Sequence, residues 1–116
     1  MWRTFGYGSL MWRPSFAYLE ARTARLPGFA RRFWQGSSDH RGVPQALGRV
    51  VTLVHDDARV CNLGPASSEA IVLQIATARG PSGPNDEYLL RLEETLRAIG
   101  AEDEHVFELA ALLRRR

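Results

Sequence analysis

Apolar and polar positions divide this chain into two halves of different rhythm. Residues 2–7 are an apolar-aromatic run ending in glycines, the pattern of a buried first strand. The loop Gly6-Tyr7-Gly8-Ser9-Leu10 follows, and Pro14 biases Arg13 away from helix, so residues 11–15 read as irregular. Phe16 to Arg25 is mixed and fits a short strand or a turn. Over 29–35, Phe29, Arg31 and Phe33 alternate with Ala30, Arg32 and Trp34, which predicts a strand with aromatics on both sides. Gly36 to Gly48 is rich in Gly, Ser, Asp and Pro and reads as loop. Arg49-Val50-Val51-Thr52-Leu53-Val54 is the clearest strand, β-branched and apolar, and His55-Asp56-Asp57 ends it with turn chemistry.

Beyond Asn62 the period becomes helical. Asn62 to Ser67 is a turn, and Ser67 or Ser68 serves as N-cap with Glu69 in the first turn of a helix over 68–79. Gly80-Pro81-Ser82-Gly83-Pro84 breaks it. Asn85 then caps a helix with Tyr88, Leu89, Leu92, Leu96 and Ile99 at core spacing, stopped by Gly100. Asp103 to Leu113 is a last helix, with Val106, Leu109, Ala110 and Leu113 inward. Strands first and helices last predict an α+β fold. At 116 residues the chain reads as one domain, 1–116, with one modest core.

Composition removes several function classes. The net charge of +2 raises nucleic acid as a partner. Yet all fifteen basic residues are Arg, the mark of a GC-rich genome, and the densest run, Arg114-Arg115-Arg116, lies at a terminus. No nucleic-acid partner is expected. No apolar run approaches a membrane span and no secretory pattern opens the chain, so a cytoplasmic protein without a membrane partner is expected. Cys61 is the only cysteine, which excludes an internal disulfide and a multi-cysteine zinc site.

The candidate chemistry gathers at residues 5–10. Gly6 and Gly8 bracket Tyr7, free the backbone for positive φ and let a ligand approach the main chain. Unpaired N–H groups in such a turn suit a carboxylate or a developing oxyanion, with the Ser9 hydroxyl at the rim. A serine nucleophile elbow would need glycine where Met11 stands, and no third glycine completes a dinucleotide fingerprint. His55, Asp56, Asp57 and Cys61 lack a further His or Cys to complete a metal site, so no metal is expected. Asp39 and His40, in the polar loop, either orient a substrate or cap loop backbone. His105 reads as a core or interfacial histidine, and Glu93 and Glu94 as a solvated helix surface.

Three longer stretches carry a resemblance: Phe5 to Pro14, Phe33 to Gly42, and Gly80 to Leu89. Together with Gly48-Arg49-Val50-Val51-Thr52-Leu53 and Asp103-Glu104-His105-Val106, they resemble the ChaC family of glutathione-specific γ-glutamylcyclotransferases. The resemblance implies a β-barrel or sheet of N-terminal strands with C-terminal helices. It also implies a reaction in which the α-amino group of a γ-glutamyl peptide attacks its own γ-carbonyl. That closes 5-oxoproline and releases Cys-Gly from glutathione, with no cofactor. Phe5, Gly6, Tyr7, Gly8, Ser9 and Leu10 match the family's γ-glutamyl cradle.

The sequence also departs from the family. The family's catalytic Glu lies in a central Arg-Glu-x-x-Gly-Tyr stretch, whereas here Arg59-Val60-Cys61 runs straight into Asn62-Leu63-Gly64. Several strands and the Glu are missing at a junction placed at Cys61-Asn62. The general base is therefore unassigned, with Glu69 and Asp39 as weak surrogates, and impaired turnover is expected. The alternative is a non-catalytic γ-glutamyl-binding remnant or an oligomerising module. Loss of central strands exposes ladder edges beside Val50–Val54, a route to a homodimer.

Overall fold

The computed structural model describes residues 3–55 and 63–116. Two antiparallel strands, β1 (Ala30–Ser37) and β2 (Gly48–Val54), form the one extended ladder among the described residues. The register runs from Ala30 opposite Val54 to Ser37 opposite Gly48 and slips by one residue between Arg32 and Gln35. Phe33 and Trp34 thus share the place opposite Val51, a bulge that turns the Phe33 ring fully into the core.

Three helices cover this ladder. In α1 (Ser68–Thr77) the Ser67 hydroxyl caps the first turn by accepting from Ala70 N–H, and Ile71, Val72 and Ile75 face inward. A two-residue hairpin, β3 (Arg79–Gly80) with β4 (Gly83–Pro84), occupies the predicted break. It leads into α2 (Asn85–Ala98), whose Leu89, Leu92 and Leu96 are buried. Gly100 at φ 71° turns the chain, and Asp103 caps α3 (Glu104–Arg114) by accepting from Val106 N–H. The core lies between the ladder and these helices, with Phe33, Val51, Leu92 and Leu109 near its middle.

The α+β reading holds, but four expectations change. Residues 3–7 form no strand. With no further strand beside it, this stretch is held instead by a side chain, Arg31 Nε donating to Tyr7 O at 2.7 Å. Asn85 does not cap α2; it is the first helical residue, and its amide reaches across to β2. Ile99 sits past the helix end and is 42% exposed. Glu93 is buried, because α3 crosses α2 and brings Arg114 over the carboxylate already flanked by Arg97 one turn on. The Arg114 hydrogen bond outweighs burial and holds the Glu93 carboxyl below the ordinary carboxylate range.

The β2 edge facing α2 is not a bare ladder. Asn85, fully buried, accepts from Arg49 N–H at 2.7 Å and donates to Arg49 O at 2.9 Å. Two residues on, Val51 N–H donates to the Tyr88 hydroxyl at 3.3 Å. Side chains of α2 thus take hydrogen bonds that a neighbouring strand would make.

Candidate active site

The described residues enclose a cleft of about 620 Å³ between the N-terminal loop, the middle of the ladder and the start of α2. Tyr7, Gly8, Ser9 and Leu10 line one side. Ser9–Met11 is a single 3₁₀ turn, closed by Met11 N–H on Gly8 O and Trp12 N–H on Ser9 O. The first N–H groups of such a turn, those of Ser9 and Leu10, have no acceptor within it. The expected positive φ is absent: neither Gly6 nor Gly8 is left-handed. Space explains Gly8 instead, since a Cβ there would stand 2.9 Å from the Tyr88 hydroxyl and 3.3 Å from a Val51 methyl. Phe5 and Gly6 lie outside the cleft lining, and Phe5 is exposed.

Two anchors fix this wall. Arg31 on β1 donates to Tyr7 O and, through Nη1, to Asp103 Oδ2 at 2.7 Å, tying the loop to the cap of α3. Both charged groups are mostly buried, which makes the pair costly to break from one side. Tyr88 is the second anchor. Its ring meets Trp12 and Phe33 edge-on at 5.5 and 5.8 Å, and its hydroxyl sits below Gly8. Burial pushes the Tyr88 phenol up to about 12, so it stays protonated.

The opposite wall comes from the loop after β1. Arg41 is buried, donates to Pro84 O at 3.0 Å, stands 3.8 Å from Glu87 and lies over the Tyr88 ring. Ser37 accepts from Arg41 N–H and holds the loop turn. Asp39 and His40 line the mouth, where His40 Nδ1 faces Ser82 Oγ at 3.1 Å and Nε2 lies 3.8 Å from Asp39 Oδ2. Arg13 and Arg41 are the two arginines of the cleft lining, and the Arg41 guanidinium is engaged by Pro84 O and Glu87.

Of the two carboxylates weighed as surrogate bases, the fold brings Asp39 to the cleft and leaves Glu69 exposed in the first turn of α1, outside the lining. Sequence reasoning did not single out Arg41 or Tyr88. Arg41 was one of several polar residues in a loop, and Tyr88 carried only the signal of a core helix position. His105 is a core histidine: its Nε2 accepts from Phe33 N–H at 3.0 Å, and burial lowers the ring's pKa to about 4. His55 touches Phe29 at a ring distance of 5.0 Å, beside a second hollow of about 390 Å³ at the Gly28–Ala30 end of the ladder. Asp56, Asp57, Cys61 and the Cys61-Asn62 junction lie outside the described residues. No group of three His, Cys, Asp or Glu side chains among the described residues could hold a metal. No helix there is long and apolar enough to cross a membrane.

The fold has solved counterparts. A crystal structure of the yeast γ-glutamyl cyclotransferase specific to glutathione matches it with a TM-score of 0.77, at 22% identity, over 95% of this chain and 96% of that one. The chain belongs to the ChaC-like protein family, whose model matches residues 1–64 and, as a second piece, 60–116. Among its relatives, the glutathione-specific γ-glutamylcyclotransferase 1 of Danio rerio is 32% identical over 171 positions, spanning 94% of this chain and 87% of the zebrafish protein. The human protein of the same name is 35% identical over 163, spanning 88% of this chain and 73% of the human one. Alignments of that length on a chain of 116 residues leave a long stretch of each relative unmatched. The two-piece family match meets at residues 60–64, where the sequence reading puts the junction.

Proposed function

We propose that this chain is a shortened γ-glutamylcyclotransferase acting on glutathione. The α-amino group of the γ-glutamyl residue attacks its own γ-carbonyl, closing 5-oxoproline and releasing Cys-Gly. The observation that carries this reading is the placement of Tyr7, Gly8, Ser9 and Leu10 along a cleft of about 620 Å³, in a chain of the ChaC-like family. That volume falls within the roughly 300–1,000 Å³ of small-ligand sites.

The chemistry is an internal acyl transfer and calls for three things. Donors must meet the carbonyl oxygen as it becomes an oxyanion, and the N–H groups at the start of the 3₁₀ turn supply them. A cation must hold the glutamyl carboxylate, and Arg13 and Arg41 border the space. A group must take the ammonium proton and return it to the leaving amine. Tyr88 cannot be that group at neutral pH, since its phenol keeps its proton.

The test incubates purified protein with glutathione and follows 5-oxoproline and Cys-Gly together. Equimolar appearance of both is the expected result. Product no faster than the uncatalysed background would sink the proposal.

A further inference from the structure

The cleft holds a proton acceptor outside the carboxylates. We propose that His40 is the general base, and then the general acid, of this shortened site; this rests on the function proposed above.

The cleft's titratable side chains leave few alternatives. Guanidiniums and phenols keep their protons at neutral pH, which sets aside Arg13, Arg41, Tyr7 and Tyr88. Asp39 and His40 remain. The Asp39 carboxylate is 76% exposed beside the ring, whereas His40 is tied to Ser82 from the β3–β4 turn, and an imidazole carries one nitrogen that accepts and one that donates. The His40 ring is 71% exposed, yet its backbone is held tightly. Its carbonyl accepts from Ser82 N–H at 2.8 Å and packs on Gly80, where any Cβ would stand 2.4 Å from that oxygen. Ser82 Oγ engages Nδ1 from the β3–β4 turn, which leaves Nε2, with Asp39 beside it, as the nitrogen free to exchange a proton. A held backbone and a side-chain tether together aim the ring, which is what a positioned base requires.

The step balances without a co-reactant. The α-ammonium gives one proton to Nε2, and the amine so freed forms a bond to the γ-carbon. The imidazolium passes that proton to the cysteinyl nitrogen as its bond to the γ-carbon breaks. Nε2 then takes the second proton from the ring-closing nitrogen and hands it to the departing amine, which leaves as an ammonium, so the imidazole ends as it began.

The experiment compares wild type, His40→Gln, His40→Ala and Asp39→Asn, each checked by circular dichroism for an unchanged fold. Turnover of glutathione is measured beside calorimetric binding of glutaryl-Cys-Gly, which lacks the α-amino group and cannot cyclise. His40→Gln is expected to lower kcat by about 10²–10⁴-fold while KM and glutaryl-Cys-Gly binding stay at wild-type values. Added imidazole is expected to restore turnover to His40→Ala in proportion to its concentration, a response that a purely structural role would not give. Wild-type kcat in His40→Gln, or abolition by Asp39→Asn alone, would overturn the assignment. Wild type that binds glutaryl-Cys-Gly without turning over glutathione overturns it too, but leaves the cleft as a γ-glutamyl site. Failure of both binding and turnover overturns the functional reading itself.

Discussion

Replacing Asn85 tests how this short chain closes its sheet. The side chain has no exposed surface and makes two hydrogen bonds to one residue, at 2.7 Å from Arg49 N–H and 2.9 Å to Arg49 O. Asn85→Leu keeps the approximate volume and removes both partners. Each buried group left unpaired costs about 1–3 kcal/mol, so the variant should lose roughly 2–5 kcal/mol after a small gain from the added apolar surface. Asn85→Asp separates the two bonds. One carboxylate oxygen still accepts from Arg49 N–H, but the other meets the Arg49 carbonyl oxygen and can pair with it only when protonated. Folding then raises the aspartate pKa above its unfolded value. The stability deficit is small at low pH and grows as pH rises through that raised pKa. Urea unfolding, followed by fluorescence of the chain's three tryptophans, measures both variants. With a slope of about 1–3 kcal/mol per molar, Asn85→Leu should move the midpoint by at least about 0.7 M. An Asn85→Leu midpoint at the wild-type value would refute the claim that α2 completes the β2 edge. So would an Asn85→Asp deficit that does not shrink on acidification.

Two further predictions concern the cleft wall and the core histidine. Gly8→Ala should weaken glutaryl-Cys-Gly binding, because its Cβ would stand 2.9 Å from the Tyr88 hydroxyl. Gly8→Ala combined with Tyr88→Phe should recover part of the affinity by calorimetry, and equal binding by Gly8→Ala and wild type would show that the wall tolerates a side chain. His105 is held neutral, its pKa pushed down to about 4 by burial and, secondarily, by Arg32 against a smaller opposing effect of Asp103. The unfolded chain takes up the proton first, so this contribution is complete above the ordinary histidine value of 6.5 and is lost as pH falls toward 4. With allowance for solvent screening of a partly exposed ring, the loss is about 2 kcal/mol. The stability difference between wild type and His105→Asn should therefore change across that interval, and a flat difference would remove the histidine from the acid response.

Local signals carried the helices and the second strand well. Ser67, Gly100 and the Leu89-Leu92-Leu96 spacing each state their structure within a few residues, and the fold places them as expected. The failures share one cause, a partner distant in sequence. Residues 3–7 have the composition of a strand, but a strand needs a neighbour and here an arginine from β1 takes its place. Asn85 has the look of a cap, yet its amide serves Arg49, 36 residues away. Glu93 reads as surface until α3 lays Arg114 across it. The Gly6–Leu10 loop was legible as a glycine-bracketed turn, while Arg41 and Tyr88 came to line the same cleft only when the loop after β1 and the first turn of α2 met beneath Gly8.

Those contacts tie the stability of the shortened sheet to its chemistry. The helix that satisfies Arg49 through Asn85 also carries, one turn later, the tyrosine that receives Val51 N–H and stands under Gly8. Asn85 and Tyr88 are three residues apart on one helical face, so a displacement that frees the β2 edge also lifts the floor of the cleft. The edge that would invite strand exchange if bare is thus coupled to ligand binding. A ligand seated against Tyr7–Leu10 favours the arrangement with Tyr88 in place and, through the same helix, the one with Arg49 paired. Binding of glutaryl-Cys-Gly should accordingly raise the urea midpoint of wild type. It should raise that of Asn85→Leu less, because in that variant the floor of the cleft is no longer held from the sheet side.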